Sequence, residues 1–399
     1  MIYVKNIFLA ILLLTTLVTS YTLLAEPKQK LYAKTKVILD NLSRPAIENI
    51  DKQGRIYFTT YDTLDLNKFT LERFDPITGK VEELVKIQPC RIREGREIHY
   101  KAIAYVRLDM KNNIYYTLML STYYIGEDRP LYFSHAFSEI YKMSSLSKIS
   151  KIIYRTEKNW IIGDMDVDKL GNIYFSITRI EPSPEGRVIF SYLYKLLMIS
   201  VNGEVRTLVQ FENVFGIGNI HVLRNPTNGI VFTVTDRSQT AYLYQYKDGK
   251  LKLLMKCRSA TFFTALDPGF NGDLYYYYTS AFSDKGYMEI GKLNIRRETY
   301  PTILFSETSK DKRYTLYTSN RKVFKLSLTG DLFFTICTYP YPFNREGREE
   351  RLIWLNIKTG TYTTILTGTP IGYSFVVDVR GNLYVARRSI GDIICIYRR

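Results

Sequence analysis

Chemically specialised residues are scarce in this chain. Among 399 residues there are four cysteines, three histidines and two tryptophans. The cysteines, Cys90, Cys257, Cys337 and Cys395, form no C-x-x-C pair, which excludes the common zinc and dithiol redox arrangements. Cys337 and Cys395 are expected on strands of neighbouring units, where they either pair or stay as buried thiols. A chain this long can bury a core without a disulfide framework. There is no G-x-S-x-G, no H-E-x-x-H and no phosphate-binding glycine loop, so the usual signatures of serine hydrolases, zincins and P-loop enzymes are missing. No Pro/Ser-rich linker or block of like charge interrupts the sequence, and nothing marks an internal domain boundary. The 3.6-residue apolar period of helical repeats is missing too. Acidic residues are the minority, 39 against 55 lysines and arginines, leaving a net charge of +16.

What the chain does have is one short phrase written seven times. It begins at Gly54, Asn112, Gly171, Gly229, Gly272, Gly330 and Gly381, and runs as in Gly171-Asn-Ile-Tyr-Phe175. The successive steps are 58, 59, 58, 43, 58 and 51 residues. Repeats on this scale indicate solenoids, propellers or arrays. Each phrase is apolar and aromatic, the composition of a strand, and opens on a turn residue. Asp51, Asp109, Asp168 and Asp378 each stand three residues before the Gly or Asn. Aspartate bonds turn amides with its side chain, and Gly or Asn tolerates positive φ. Each phrase is therefore the second strand of a hairpin.

A second hairpin follows most phrases, as in Leu71–Phe74 and Val81–Val85 around Asp75-Pro-Ile-Thr-Gly79. Two hairpins make a four-stranded meander of about 50 residues, the size of a propeller blade. After Tyr384 the chain has room for one more strand, Asp392–Tyr397, and then stops. Lys36–Leu39, ahead of the first phrase, is a spare strand that can cover that edge. The fold expected is all-β: a seven-bladed β-propeller of four-stranded antiparallel blades, closed by an N-terminal strand that completes the last blade. Two stacked β domains or an open array are the alternatives.

The D-x-x-G-N-[IL]-Y phrases resemble the NHL-type and related six- or seven-bladed propellers of exported proteins. The resemblance spans roughly Lys36 to Arg399. It implies the fold and is nearly silent on activity. The 43-residue step and Asn112 in place of Gly depart from a regular array.

Lys5 precedes a short apolar run, Ile7–Leu14, continued by Thr15–Val18 and Leu23–Ala25. Residues 1–25 read as a signal peptide or an uncut membrane anchor, and 33–399 as a single propeller domain. The expected location is extracytoplasmic, secreted or anchored. A basic exported protein suits a protein, glycan or other anionic envelope component as partner, with membrane association through the N-terminal segment. Nucleic acid is not the expected partner, because no recognition motif appears.

Function on a rigid scaffold usually sits on its loops. Three segments expected on one face carry Arg91, Arg93, Arg96, Arg129, Arg345 and Arg348 with Tyr123, Tyr124, Tyr339 and Tyr341. Arginine offers a planar fork for carboxylate or phosphate, and tyrosine a flat face for sugar or side chain. The nearby glutamates instead allow a merely solvated rim. Two of the histidines, His99, His135 and His221, can form an acid/base pair or hold a metal, and Asp164 lies near an inner strand. Trp160, at a junction between blades, is either a ligand platform or core. Two readings follow. One is a binding scaffold that needs no cofactor. The other is a hydrolase or lyase, gluconolactonase-like or lyase-like, with a divalent metal in the central channel.

Overall fold

The computed structural model describes residues 32–398 apart from 62–68, 88–91, 94–96, 125–131, 183–187, 224–228, 258–261, 266–271, 281–285, 297–299, 310–311, 316–323, 328, 341–348 and 369–372. The expected N-terminal leader or anchor lies outside these residues. Among them, no helix is long and apolar enough to cross a membrane.

The chain opens with β1 (Tyr32–Leu39). The first sheet is β2 (Ala46–Ile50), β3 (Ile56–Tyr61), β4 (Phe69–Phe74) and β5 (Val81–Lys86). Nine strands form the next: β6 (Ile92–Arg93), β7 (Glu97–Leu108), β8 (Ile114–Tyr124), β9 (Tyr132–Met143), β10 (Ser150–Arg155), β11 (Trp160–Val167), β12 (Ile173–Pro182), β13 (Val188–Ile199) and β14 (Val205–Phe211). A four-stranded sheet follows, with β15 (Val214–Val222), β16 (Ile230–Asp236), β17 (Ala241–Lys247) and β18 (Lys250–Cys257). Another comprises β19 (Phe262–Ala265), β20 (Asp273–Ser280), β21 (Gly286–Asn294) and β22 (Thr302–Ser309). A five-stranded sheet has β23 (Lys312–Thr315), β24 (Phe324–Leu326), β25 (Asp331–Pro340), β26 (Glu349–Asn356) and β27 (Tyr362–Gly368). The last sheet is β28 (Tyr373–Val377), β29 (Leu383–Arg387) and β30 (Asp392–Arg398), with β1 at its edge.

The arrangement is that of an all-β propeller, but the count of seven four-stranded blades is wrong: five blades are found. Among the described residues, hydrogen bonding gives six sheets, four of four strands, one of five and one of nine. Strand length explains the nine-stranded sheet. β7, β9 and β13 run for 12 residues each, and the extra length lets β9 meet β11 in parallel at Phe137 and Trp160. The connection between them follows β9, with Thr156 N donating to Ser138 O (2.9 Å) and Asn159 N to Ala136 O (2.7 Å). Two copies of the phrase thus share one sheet. Counting the phrase counts turns, not sheets.

The two chain ends pair as the spare-strand argument requires. Lys36 faces Cys395 and Val37 faces Ile394 in antiparallel register, so β30 is not left as an open edge. Apolar clusters then fill the spaces between consecutive sheets. Ile47, Ile56, Val376 and Tyr384 join the first sheet to the last, and Tyr115, Ile162 and Phe175 pack within the nine-stranded one. The first strands of successive sheets neighbour one another. Cys337 and Cys395 are buried on different sheets and do not join in a disulfide. Burial pushes the Cys395 thiol up to about 11.

The repeated phrase has a concrete geometry. All seven opening residues have positive φ, between 60° at Asn112 and 95° at Gly171. Asp109 Oδ1 accepts from the amides of Lys111 and Asn113 (2.8 and 2.9 Å). Its Oδ2 accepts from Asn113 Nδ2 (2.8 Å) and the Tyr115 hydroxyl (3.2 Å). Asp168 and Asp378 repeat the amide and Asn bonds. At Asp51, Arg55 Nε replaces the Asn (2.7 Å). Burial, then the charge of Asp168, push the Tyr174 phenol up to about 12. The Asn carbonyl oxygen reaches on: Asn172 Oδ1 accepts from Val201 N (2.9 Å) and Asn382 Oδ1 from Arg398 N (3.2 Å).

Close packing also fixes a glycine inside a strand. Gly291 faces Tyr276 across β20 and β21, and a Cβ there would overlap the Tyr276 ring. The ring is fully buried and its hydroxyl is held by Glu289 Oε1 (2.5 Å), so it has no room to yield. Gly291→Ala should cost about 1–3 kcal/mol, the usual range for overpacking, read by denaturant unfolding. A variant as stable as the parent would show that the ring can move aside.

Candidate functional site

Two polar clusters stand out among the described residues. The first ties inner strands together. Arg107 on β7 is only 9% exposed. Its Nε donates to Met165 O (2.8 Å) and its Nη1 to Val106 O (2.8 Å). Its Nη2 lies 3.4 Å from Asp164 Oδ1, and its Nε 3.7 Å from Asp166 Oδ1. Asp164 Oδ1 also accepts from Met165 N (2.7 Å), and its Oδ2 from Ile220 N (2.8 Å). Asp166 Oδ2 accepts from Val222 N (2.8 Å). One arginine and two carboxylates thus join β7, β11 and β15. His221, 4% exposed, sits between the two captured residues of β15. Both Asp164 oxygens are already engaged, so this geometry is that of a latch between strands.

The second cluster crosses three adjacent strands. His99 pairs with Thr122, and Thr122 with His135, in the β7–β8–β9 register. His99 Nδ1 lies 3.1 Å from Thr122 Oγ1, and His135 Nε2 lies 3.3 Å from the same oxygen. Ser134 Oγ is 3.0 Å from His135 Nδ1. A hydroxyl carries one proton and two lone pairs, so Thr122 donates to at most one of the two imidazoles. His99 and His135 are half-buried and Thr122 is buried. Beside it Tyr123 packs edge-on against Phe133, ring centroids 5.7 Å apart.

Two of the three histidines therefore come together, and His221 is not one of them. Eight residues of β7 separate His99 from Arg107, roughly 25 Å at the rise of a strand. Trp160 is half-buried at the meeting of β9 and β11, with Lys195 Nζ 4.8 Å above its ring. It is packing rather than an open platform. Arg93 lies on β6, Tyr124 ends β8 and Tyr339 is on β25. Arg91, Arg96, Arg129, Tyr341, Arg345 and Arg348 lie outside the described residues. Among the described residues, no three His, Cys, Asp or Glu side chains are grouped to hold a metal ion.

Arg107, Thr122 and Ser134 were not singled out from the sequence. Arg107 had a readable signal: Asp164 stands 57 residues on, about one repeat, and one repeat apart means neighbouring inner strands. Thr122 had none, because its role depends on register.

No family model matches the chain, and no curated protein matches it. Solved structures do. The oligogalacturonate lyase of Vibrio parahaemolyticus is 8% identical and aligns over 91% of this chain and 96% of its own, with a TM-score of 0.55. The acylaminoacyl peptidase of Pyrococcus horikoshii is 13% identical over 87% of this chain and 51% of its own, TM-score 0.48. Sqt1 of Saccharomyces cerevisiae is 9% identical over 90% and 97%, TM-score 0.45. At 8% identity the likeness to the lyase is one of fold, and it supports the propeller.

Arg107→Ala should destabilise the protein by about 3–5 kcal/mol, because two largely buried carboxylates lose their cation. Thermal unfolding reads this directly, and a change under about 1 kcal/mol would show that the backbone amides alone hold the carboxylates.

Proposed function

We propose that the protein is a binding scaffold that recognises an anionic ligand at the end of the propeller carrying the β8–β9 and β25–β26 connections. The observation that carries this reading is the His99–Thr122–His135 row beside Tyr123. It offers hydrogen-bonding imidazoles and an aromatic face together, on strands that lead into the arginine-bearing segments. A net charge of +16 favours an anionic partner, a protein or a glycan of the cell envelope.

A polygalacturonate oligomer is a suitable first probe, as a uronate chain with a carboxylate on each sugar. Titration calorimetry on the parent should show binding that weakens with added salt. Arg93→Ala, Arg96→Ala and Arg348→Ala together should weaken it at least tenfold. Equal affinity in the triple variant would sink the reading.

A lyase is the second reading, favoured by the same histidine row, since β-elimination from a uronate needs a base near the proton α to the carboxylate. Its sign is absorbance of an unsaturated product, lost in His99→Gln and His135→Gln. Metal dependence would belong to this reading alone.

The same proposal places the protein outside the cytoplasm, secreted or held by its first 25 residues. Lys5 ahead of the apolar run supports it. Residues 1–26 fused to a reporter should export it. A reporter retained in the cytoplasm would contradict the placement.

A further inference from the structure

The end of the propeller opposite the proposed ligand surface has its own chemistry. In an antiparallel meander the first and third turns of a sheet share one end. The D-x-x-G turns and the turns β4–β5, β9–β10 and β13–β14 therefore all lie there. Contacts between sheets agree. Asn112 Nδ2 donates to Gln53 Oε1 (2.7 Å) and Lys52 Nζ to Met110 O (3.4 Å), and within the nine-stranded sheet Val201 N donates to Asn172 Oδ1 (2.9 Å).

The tips of these turns are apolar and bare. Leu146 is 91% and Ile77 86% exposed, and Met110, Leu170, Val201 and Val379 are exposed as well. Single exposed apolar residues are ordinary. A series of them at one end, each projecting from a tight turn, is not. Interleaved with them are exposed Lys52, Lys111, Lys148, Lys169 and Arg380. Asp51, Asp109, Asp168 and Asp378 stand one residue or more behind the tips, each with one oxygen on turn amides and the other on a side chain, and their charge partly offsets that of the basic residues. Exposed acids on the described turns of this end are Asp248 and Glu204; Arg206 pairs with Glu204, and Lys148 pairs with Glu82 at the start of β5, which leaves Lys52, Lys111, Lys169 and Arg380 as the basic residues at the tips.

The chain's own entry point is at the same end. Tyr32, the first residue of β1, faces Arg398, whose side chain lies against the turn glycine Gly381. Residues 26–31 can span at most about 20 Å. The apolar run ending at Ala25 thus joins the propeller beside the bare turn tips.

We infer that this end is a docking surface for an anionic lipid bilayer. The apolar tips enter the headgroup boundary, and the surrounding basic residues meet the negative surface. The ligand surface then faces away from the membrane. The inference is independent of what that surface binds.

The test uses the full chain reconstituted into vesicles of phosphatidylcholine, with and without phosphatidylglycerol, carrying brominated acyl chains that quench tryptophan. Leu146→Trp places a reporter on a turn tip, and Arg388→Trp places one at the other end. The parent, with Trp160 and Trp354, supplies the background. Circular dichroism confirms that each variant folds. Quenching should be strong in Leu146→Trp with anionic vesicles, weak without the anionic lipid and absent in Arg388→Trp. Adding Lys111→Glu, Lys148→Glu and Lys169→Glu to Leu146→Trp should abolish it. Equal quenching at the two ends would mean a slack tether and overturn the inference. So would quenching that survives the charge reversal, or concentration-dependent self-association that buries Leu146→Trp away from lipid, which would make the surface a protein interface.

Discussion

A carboxylate at the head of a tight turn sets most of this architecture. Asp109 shows the logic fully: one oxygen takes two amides of its own turn, the other takes an asparagine and a phenol. Charge-assisted bonds of this kind are stronger than neutral ones, and the turn closes only if its fourth residue accepts positive φ. The asparagine then extends the bond to the next hairpin through its carbonyl oxygen. A local turn becomes a joint between two hairpins, and the joints of adjacent sheets touch. The aspartate is thus a positional device that aligns one end of every sheet it serves.

Because that device is local, it could be read from the sequence. Spacing, turn residue and aspartate lie within seven residues of one another, and all seven opening residues do have positive φ. The same reading missed a further copy. Asp236 holds the Thr240 amide (2.9 Å) and the Tyr242 hydroxyl (2.9 Å), and Gln239 takes the positive φ. Glutamine is not a residue one expects there, and this turn joins β16 to β17, the strand pair after the usual one. Serine also substitutes: Ser327 Oγ accepts from Asp331 N (3.0 Å). The number of sheets was not legible, because it depends on how far β9 runs before it meets β11. One parallel contact, Phe137 to Trp160, decides it.

The polar clusters divide in the same way. Contacts between neighbouring inner strands inherit the repeat: Tyr105 to Gly163 is 58 residues, Arg107 to Asp164 is 57 and Asp164 to Ile220 is 56. A period of this kind acts as a coarse contact map, so Arg107 could have been found by stepping one repeat back from Asp164. The histidine row could not. His99, Thr122 and His135 are 23 and 13 residues apart, intervals set by the lengths of β7, β8 and β9 and by a bulge between Thr122 and Tyr123. Asp164 and His221 looked like chemistry because they were acidic and basic near the axis. The fold uses Asp164 to hold β15 to β11.

This division of labour leaves the two ends of the propeller under different constraints. At the turn end the aspartate oxygens point inward, into amides, side-chain nitrogens and phenols, and the side chain at the second or third turn position is not part of that network. Met110, Leu170 and Val379 occupy such positions, where a small polar residue would close the turn as well. Their apolar character is therefore not explained by the turn, and burial does not explain it either, since they are exposed. At the opposite end the strands overrun the common length and carry their own small core, Phe133, Ala136 and Ile180. Extra backbone ordered beyond the ring costs conformational entropy, and that small apolar cluster offsets part of it. The overrun lifts His99, Thr122 and His135 clear of the latch formed by Arg107. A polar row can then stay half-open there without loosening the joints that hold the sheets together.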